Sequence, residues 1–163
     1  MVKKSSSVLM ITEEDIEQLL GEWAIVPAWI KAHVSARCPA YRYEGELMID
    51  DESLVFRGRD IKVGKDYELQ LPLNGITEVH VGFSERLKAS IDPAFGIGGP
   101  VPFVVRYQDN GNSQTIYFNA SFSNYLAHRD RNNLKWHATL DKIVTKNRQL
   151  KPARRRNRSP VAA

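Results

Sequence analysis

Two stretches of alternating apolar and polar residues in the middle of the chain predict a pair of half-buried β-strands. A period of two is typical of strands with one apolar face. The apolar positions are Tyr67, Leu69, Leu71 and Leu73 before Asn74-Gly75, and Val79, Val81 and Phe83 after it. Since an Asn-Gly pair tolerates the positive φ angles of a tight turn, residues 67–83 are predicted to form a β-hairpin. Strands with one apolar face need further strands and a covering layer from the rest of the chain.

The same alternation predicts strands on both sides of this segment. Residues 43–49 alternate clearly, an acidic turn follows at residues 50–53, and residues 54–56 return. Further along, Phe103, Val105 and Tyr107 alternate, and the Asp-Asn-Gly-Asn turn at residues 109–112 leads into residues 115–118. Residues 57–66 and 92–102 contain Gly or Pro and predict loops, whereas residues 86–91 predict a short strand.

Helical spacing is found near both ends of the chain. Thr12 and Asp15 form a capping pattern before a stripe whose members are Ile16, Leu19, Leu20 and Trp23. Pro27 is expected to end or redirect this helix, and residues 28–37 predict a second helical piece. Near the C-terminus, Asn132 or Asn133 can cap a helix whose stripe is Trp136, Leu140, Ile143 and Val144. The predicted organisation is a flexible N-terminus (residues 1–11), a helical extension (12–38), a β-rich domain (41–148) and a tail (149–163).

The order of six or seven short antiparallel strands and one C-terminal amphipathic helix resembles the pleckstrin-homology-like (PH-like) superfold. The segments EGELMIDDESLVFRG, LQLPLNGITEVHVGF and PFVVRYQDNGNSQTIYF, followed by the Trp136 helix, are similar to bacterial PH-like and GRAM-like domains. The resemblance implies an α+β, mainly β fold. It also implies two near-orthogonal sheets, arranged as a barrel or sandwich, whose open corner is closed by the last helix. It indicates little about function, because one fold hosts many functions.

Charge is distributed unevenly between the predicted domain and the tail. From Lys146 onward the chain has seven basic residues and no acidic one, which leaves 16 basic and 19 acidic residues for positions 1–145. The body is therefore mildly acidic, and the basic pI is due to the tail. Cys38 is the only cysteine, so an intrachain disulfide is excluded and a reducing, cytoplasmic location is expected. The apolar runs are too short to span a membrane.

The basic residues suggest two candidate anion contacts. Family members that bind phosphoinositides use basic residues between the first two strands, but residues 50–52, 74–75 and 109–112, taken here as the matching tips, have no lysine or arginine. The first candidate is a loop cluster of Arg57, Arg59, Lys62 and Lys65, for which a solvated loop is the alternative. The second is the tail, with Arg154, Arg155, Arg156 and Arg158, which either solubilises the protein or tethers it to RNA, DNA or an anionic membrane.

No constellation of residues in the sequence indicates an enzyme. The glycines at 96, 98 and 99 lack the lysine and the following helix of a phosphate loop, although Phe95 and Ile97 beside them are candidate partner contacts. The four histidines and Cys38 lack metal-ligand spacing, and His80 shares a strand face with Glu78. We therefore expect no cofactor and no metal site.

The sequence thus favours a non-enzymatic binding or scaffold module that recognises a protein segment. The candidate surfaces are the groove between the last helix and a sheet edge, and the helix with Trp23. The alternative is a peripheral binder that reaches an anionic surface through the basic tail. A small-ligand carrier is less favoured, and a deep cavity inside the barrel would support it instead of the scaffold. An enzyme is the third hypothesis, and no group of residues supports it. Neither the partner nor the oligomeric state follows from the sequence.

Overall fold

The computed structural model describes residues 4–24, 41–82, 101–120 and 131–156, with side chains up to Gly21 and Gln149 in the first and last of these ranges. It contains seven strands and two α-helices in these residues. The strands are β1 (Lys4–Thr12), β2 (Tyr43–Ile49), β3 (Ser53–Asp60), β4 (Asp66–Pro72), β5 (Ile76–Val81), β6 (Phe103–Asp109) and β7 (Asn112–Asn119). The helices are α1 (Glu13–Ala24) and α2 (Arg131–Arg156), and a short 3₁₀ turn covers Leu73–Gly75. The predicted class, α+β and mainly β, is confirmed. The predicted strand at residues 86–91 and the helical piece at 28–37 lie outside the described residues.

The seven strands form one antiparallel sheet in the order β4-β3-β2-β1-β7-β6-β5. Its two edge strands, β4 and β5, are joined by only the three residues Leu73–Gly75. In a flat sheet, six strand spacings would hold these edges roughly 29 Å apart. Three connecting residues can span only about 15 Å between the flanking Cα atoms. The sheet is therefore strongly curved, in keeping with the twist of antiparallel strands.

The central strand of the sheet comes from the segment that the sequence predicted to be loose. β1 pairs with β2 through Lys4–Met10 and with β7 through Leu9–Thr12, so it connects the two halves of the sheet. The prediction of a flexible N-terminus at residues 1–11 is wrong from Lys4 onward. Val8, Leu9, Met10 and Ile11 are all buried, because each face of the sheet is covered at this point. A strand buried on both faces has no alternation that would reveal it.

The predicted hairpin at residues 67–83 is also wrong. β4 pairs with β3 and β5 pairs with β6, so the two segments lie at opposite edges of the sheet. Asn74-Gly75 lies in the 3₁₀ turn, whereas positive φ angles occur at Asn110 (47°) and Gly111 (85°). The second Asn-Gly pair therefore forms the tight β6–β7 hairpin, as predicted.

The main core lies between the concave face of the sheet and α2. Trp136, Leu140 and Val144 are buried and Ile143 is partly buried, which confirms the predicted helix stripe. The Trp136 ring stacks on Phe103 with 6.0 Å between ring centroids, and its Nε1 donates a hydrogen bond to Ser6 Oγ. These contacts join α2 to β6 and β1.

α1 covers the opposite face of the sheet. Ile16 is fully buried in a second cluster with Ile11, Val104 and Tyr117, and Tyr117 Oη donates to Glu13 Oε2 over 2.6 Å. The predicted cap is confirmed, since the Asp15 amide donates to Thr12 Oγ1 and Asp15 Oδ2 accepts from both the amide and the hydroxyl of Thr12. This reciprocal arrangement is a capping box.

α2 begins earlier and ends later than predicted. It starts at Arg131, so both asparagines lie in its first turn, and Asn133 instead accepts from the Ala120 amide and donates to Val101 O. Its backbone stays helical to Arg156, so the predicted disorder of the tail is wrong for residues 149–156. Residues 157–163 lie outside the described part. No helix in the described residues is long and apolar enough to cross a membrane.

Candidate functional site

A charged network joins α1 to the first hairpin of the curved sheet. Arg42, just before β2, donates from Nη1 to Asp15 Oδ1 (2.9 Å) and from Nε to Asp60 Oδ2 (2.8 Å). The Tyr43 hydroxyl also donates to Asp15 Oδ1 over 3.3 Å. The side chains of Asp15 and Asp60 are only 10% and 8% exposed, so their charges need these partners.

Asp60 also fixes the loop that follows β3, which we call the tip loop (residues 61–65). Its second oxygen, Oδ1, accepts hydrogen bonds from the amides of Lys62 (2.8 Å) and Val63 (3.2 Å). The Gly64 amide donates to Asp60 O, and the Asp60 amide donates to Lys65 O. The conformation of the tip loop is therefore coupled through Asp60 and Arg42 to the position of α1.

The pKa values in this network follow from burial and pairing. Burial alone would raise the pKa of Asp60, but the hydrogen bonds from Arg42, Lys62 and Val63 outweigh it and leave this pKa below its ordinary value. Burial would likewise lower the pKa of Arg42, and the bond to Asp60 reverses this so that the pKa is raised. Burial, followed by the charge of Asp15, raises the pKa of Tyr43. Asp60 and Arg42 are thus ionised at neutral pH, and the Tyr43 hydroxyl keeps its proton.

The predicted cluster of Arg57, Arg59, Lys62 and Lys65 is divided by the structure. Arg57 and Arg59 lie within β3 rather than in a loop, because β3 extends to Asp60. Their side chains point away from the core, where Arg57 Nε donates to Glu68 Oε1 (3.1 Å) and Arg59 Nη2 lies 2.7 Å from Glu44 Oε1. These cross-strand ion pairs occupy both arginines. Lys62 and Lys65 lie in the tip loop, as predicted.

The prediction that residues 50–52 lie between the first two strands is wrong, because β1 precedes β2. The first two strands are β1 and β2, which are connected through residues 13–42, whereas residues 50–52 connect β2 to β3. At this β2–β3 turn, Asp50 Oδ1 accepts from the amides of Glu52 and Ser53, and these bonds lower the pKa of Asp50. The absence of lysine and arginine from the β2–β3 turn is therefore no evidence against an anion site at the opposite end of β2, where Arg42 and the tip loop lie.

The two edge strands of the sheet, β5 and β4, differ in the contacts that their outer sides make. On the β5 edge, Asn147 donates to Leu73 O and Arg148 donates to Thr77 O, so α2 binds backbone carbonyls there. On the β4 edge, the described residues pair only with β3. Tyr67 and Leu69 point toward the core from β4 but are only partly buried, although Phe56, opposite Leu69, is 1% exposed. The β4 edge therefore leaves core-facing apolar side chains incompletely covered.

An aromatic group supports the inner side of this edge. Tyr67 stacks on Tyr43 with 4.2 Å between ring centroids and lies 6.3 Å from the Phe56 ring centroid. Burial raises the pKa of Tyr67, with smaller contributions from the charge of Asp15 and from Tyr107.

A shallow groove of about 530 Å³ lies on the outer face of the first hairpin. It is lined by Ser7, Glu44, Gly45, Gly58, Arg59 and Asp66. Gly45 and Gly58 face each other, and a Cβ atom on either would lie within 2.2 Å of backbone oxygen on the other strand. The two glycines are therefore needed for the close packing of β2 and β3, and Arg59 in the groove is already paired with Glu44. Strand packing thus accounts for the groove without a ligand.

Of the remaining residues singled out in the sequence, the structure describes the surroundings of His80. His80 Nδ1 is buried 3.5 Å from Glu78 Oε1 without a hydrogen bond among the described residues, and Glu78 accepts from Arg106 over 2.8 Å. No three His, Cys, Asp or Glu side chains within the described ranges are grouped to bind a metal ion. Phe95, Ile97, Cys38 and the side chain of Trp23 lie outside the described residues, as do the side chains of Arg154, Arg155 and Arg156 and the whole of Arg158.

Comparison with known proteins adds no identity. No model of a known protein family matches the chain, and no curated protein shows significant sequence similarity to it. The network of Arg42 was missed by sequence reasoning because its members are far apart in the chain, although the capping pair Thr12 and Asp15 marked one end of it.

Proposed function

We propose that this chain is a non-enzymatic binding module of PH-like fold that recognises an extended segment of another protein. The strand order β4-β3-β2-β1-β7-β6-β5 and the short connection between its two edges support a sheet rolled into a barrel or sandwich. The C-terminal helix packed against β5 and β6 supports the closing role that such folds give it. In this proposal α1 is an insertion between the first two strands.

The single observation that carries the proposal is the β4 edge. Tyr67 and Leu69 are apolar, face the core and remain partly exposed at a strand whose described pairing is to β3 alone. An added strand would hydrogen-bond along β4 and cover these two side chains with its own apolar residues. The preferred segment is therefore extended and has apolar residues at every second position.

Charge on the outer face of β4 further restricts the segment. Asp66 and Glu68 lie on that face and are exposed, although Glu68 already accepts from Arg57, and Gln70 Nε2 donates to Ser53 Oγ. Since opposite charges on neighbouring strands stabilise a sheet, lysine or arginine at the alternating outer positions of the segment is favoured. The other sheet edge is less suited, because side chains of α2 already bind the carbonyls of Leu73 and Thr77.

Selection of linear peptides displayed on phage tests this function on the full chain. The expected peptides alternate apolar and basic residues and bind at least tenfold more weakly to Leu69→Lys, since a charge would be placed in the covered strip. Leu134→Lys is the matched control, because Leu134 is 52% exposed and belongs to α2 rather than to the sheet. Peptides that bind both variants equally, or a selection that enriches no peptide, would overturn the proposal.

The basic end of α2 supports a second candidate function, the binding of an anionic surface. Asn147 and Arg148 fix α2 beside Leu73 and Thr77, and the helix continues for the eight residues 149–156. At 1.5 Å per residue this end is about 12 Å long, and it contains Lys151, Arg154, Arg155 and Arg156. Replacing Arg154, Arg155, Arg156 and Arg158 with Gln should abolish any salt-sensitive binding to nucleic acid or anionic vesicles. Unchanged binding would exclude this role.

A further inference from the structure

The backbone of β4 directs hydrogen-bonding groups away from β3 at every second residue. The Asp60 amide donates to Lys65 O over 2.8 Å, and the opposed pair at the other end of β4 is also hydrogen-bonded. Hydrogen-bonded and non-hydrogen-bonded pairs alternate along an antiparallel ladder. The backbone groups that point to the outer side of the edge are therefore those of Asp66, Glu68 and Gln70. An added strand would pair with these three residues.

The side chains of the same strand end two rows of charges on the outer face of the sheet. Each row crosses β2, β3 and β4 and alternates in sign. One row is Glu44, Arg59 and Asp66, and the next is Glu46, Arg57 and Glu68. Both rows therefore end at the β4 edge on a carboxylate, and the next strand would lie directly beside it.

The two edge carboxylates differ in whether they already have a cation. Arg57 Nε lies 3.1 Å from Glu68 Oε1, so this carboxylate is paired within the sheet. In the other row, Arg59 donates to Glu44 Oε1 from both Nε (2.8 Å) and Nη2 (2.7 Å). Asp66 is exposed and forms no ion pair with any residue that the structure describes. Asp66 is therefore the edge carboxylate whose charge is left for a partner.

We infer that the segment bound at the β4 edge has one charged position that decides its selection, a lysine or arginine opposite Asp66, and needs no charge opposite Glu68 or Gln70. The inference rests on the proposed strand addition and narrows its charge preference to a single position. Antiparallel pairing is favoured, because it is more stable per residue than parallel pairing and joins all strands of this sheet. The segment then has the order polar, apolar, polar, apolar, basic, with its apolar residues opposite Leu69 and Tyr67.

Synthetic peptides of this order test the inference on the full chain by fluorescence anisotropy. The fifth residue is lysine, glutamine or glutamate, and the other four come from a phage-selected sequence. At low salt the lysine peptide should bind about two- to fivefold more tightly than the glutamine peptide, as for one cross-strand ion pair. Asp66→Asn should remove this preference, and Asp66→Lys should reverse it in favour of glutamate. The preference should also weaken at high salt, because the pair is exposed.

Glu68→Gln is the matched control, because Glu68 is exposed on the same face and is already paired with Arg57. This variant should keep the preference for lysine at the fifth position. Exchange of lysine for glutamine at the third position, opposite Glu68, should change the affinity less than the same exchange at the fifth. Lys65→Gln removes the exposed cation that precedes Asp66 and should strengthen binding of the lysine peptide.

The outcomes separate this inference from the proposed function. Strand addition stands and the inference is overturned if Leu69→Lys abolishes binding while the lysine, glutamine and glutamate peptides bind the wild type equally. The same conclusion follows if Glu68→Gln removes the preference for lysine and Asp66→Asn retains it. A peptide of reversed order that binds as tightly would overturn the antiparallel direction. If no peptide binds the wild type, or if Leu69→Lys binds every peptide as the wild type does, the proposed function and the inference both fail.

Discussion

Arg42 and Asp60 form an ion pair, with 2.8 Å between Arg42 Nε and Asp60 Oδ2, that joins the start of β2 to the end of β3. The same Arg42 reaches Asp15 on α1, and the same Asp60 binds the amides of the tip loop. Arg42 and Asp60 therefore connect α1, the β2–β3 hairpin and the tip loop at one end of the sheet.

Asp60→Asn should destabilise the protein at neutral pH by about 2 kcal/mol, since it weakens hydrogen bonds to a charged group. The pKa of Asp60 in the folded chain lies below its ordinary value of 3.8, so the unfolded chain binds the proton first as the pH falls. The difference in unfolding free energy between wild type and Asp60→Asn should be fully present well above pH 3.8. It should decline as the pH falls toward the lowered pKa of Asp60. Urea denaturation of both proteins over a pH series measures this convergence. A difference that stays constant into the acid range would contradict the role given to Asp60.

Trp136→Ala should cost about 3–5 kcal/mol of stability, because a large buried side chain leaves a cavity between α2 and the sheet. Trp136 is 1% exposed and stacks on Phe103, and Lys4 Nζ lies 4.5 Å from its ring centroid. Ser6→Ala removes only the acceptor of the indole N–H and should cost about 1–3 kcal/mol, the effect of leaving a buried donor unsatisfied. Chemical denaturation measures both values. Equal losses for the two variants would show that packing of the ring is not the main contribution.

Gly58→Ala should prevent the close approach of β2 and β3. A Cβ atom at this position would lie 2.1 Å from Glu44 O, which is backbone and cannot rotate away. We expect a loss of stability of several kcal/mol, or failure to fold. Gly21→Ala is the matched control, since nothing lies within 4 Å of its Cβ position and Gly21 is inside α1. That control should stabilise the chain by about 0.5–1 kcal/mol through helix propensity. Thermal unfolding of the two variants should therefore shift in opposite directions.

Tyr43, Tyr67 and Tyr107 should ionise late in an alkaline titration. Burial is the largest cause that raises the pKa of Tyr43, Tyr67 and Tyr107. Their neutral forms are favoured in the folded chain, so stability should fall as the pH rises above the ordinary value of 10.0. Phenolate absorbance should show a delayed fraction that becomes normal in denaturant. Replacing Tyr43 with Phe should remove part of that fraction. A titration in which all tyrosines ionise near pH 10 would contradict the buried positions of these rings.

Where the local pattern and the tertiary structure agree, the sequence was sufficient to predict the element. Three predicted features depend only on residues that are close in sequence. They are the capping box of Thr12 and Asp15, the Asn110-Gly111 turn and the helix stripe of Trp136 and Leu140. The strong alternation of β2 has the same origin, because one of its faces lies on the core and the other is more exposed.

The predictions that were wrong concern segments whose conformation depends on residues far away in the sequence. β1 begins with a serine-rich stretch, and Ser6 is accommodated at the core face because Trp136, 130 residues away, donates to its hydroxyl. Asn74-Gly75 suggested a hairpin, but partners on β3 and β6 take the flanking strands to opposite edges of the sheet. The network of Arg42 with Asp15 and Asp60 likewise exists only after the sheet has formed.

Amide hydrogen exchange of the full chain with a phage-selected peptide tests the proposal that the β4 edge binds an extended protein segment. We expect slower exchange of β4 amides between Asp66 and Pro72 in the complex, with nuclear Overhauser contacts from the peptide to Tyr67 and Leu69. Protection that appears on the α2 side of the molecule or in the tip loop, with β4 unchanged, would rule out strand addition at β4.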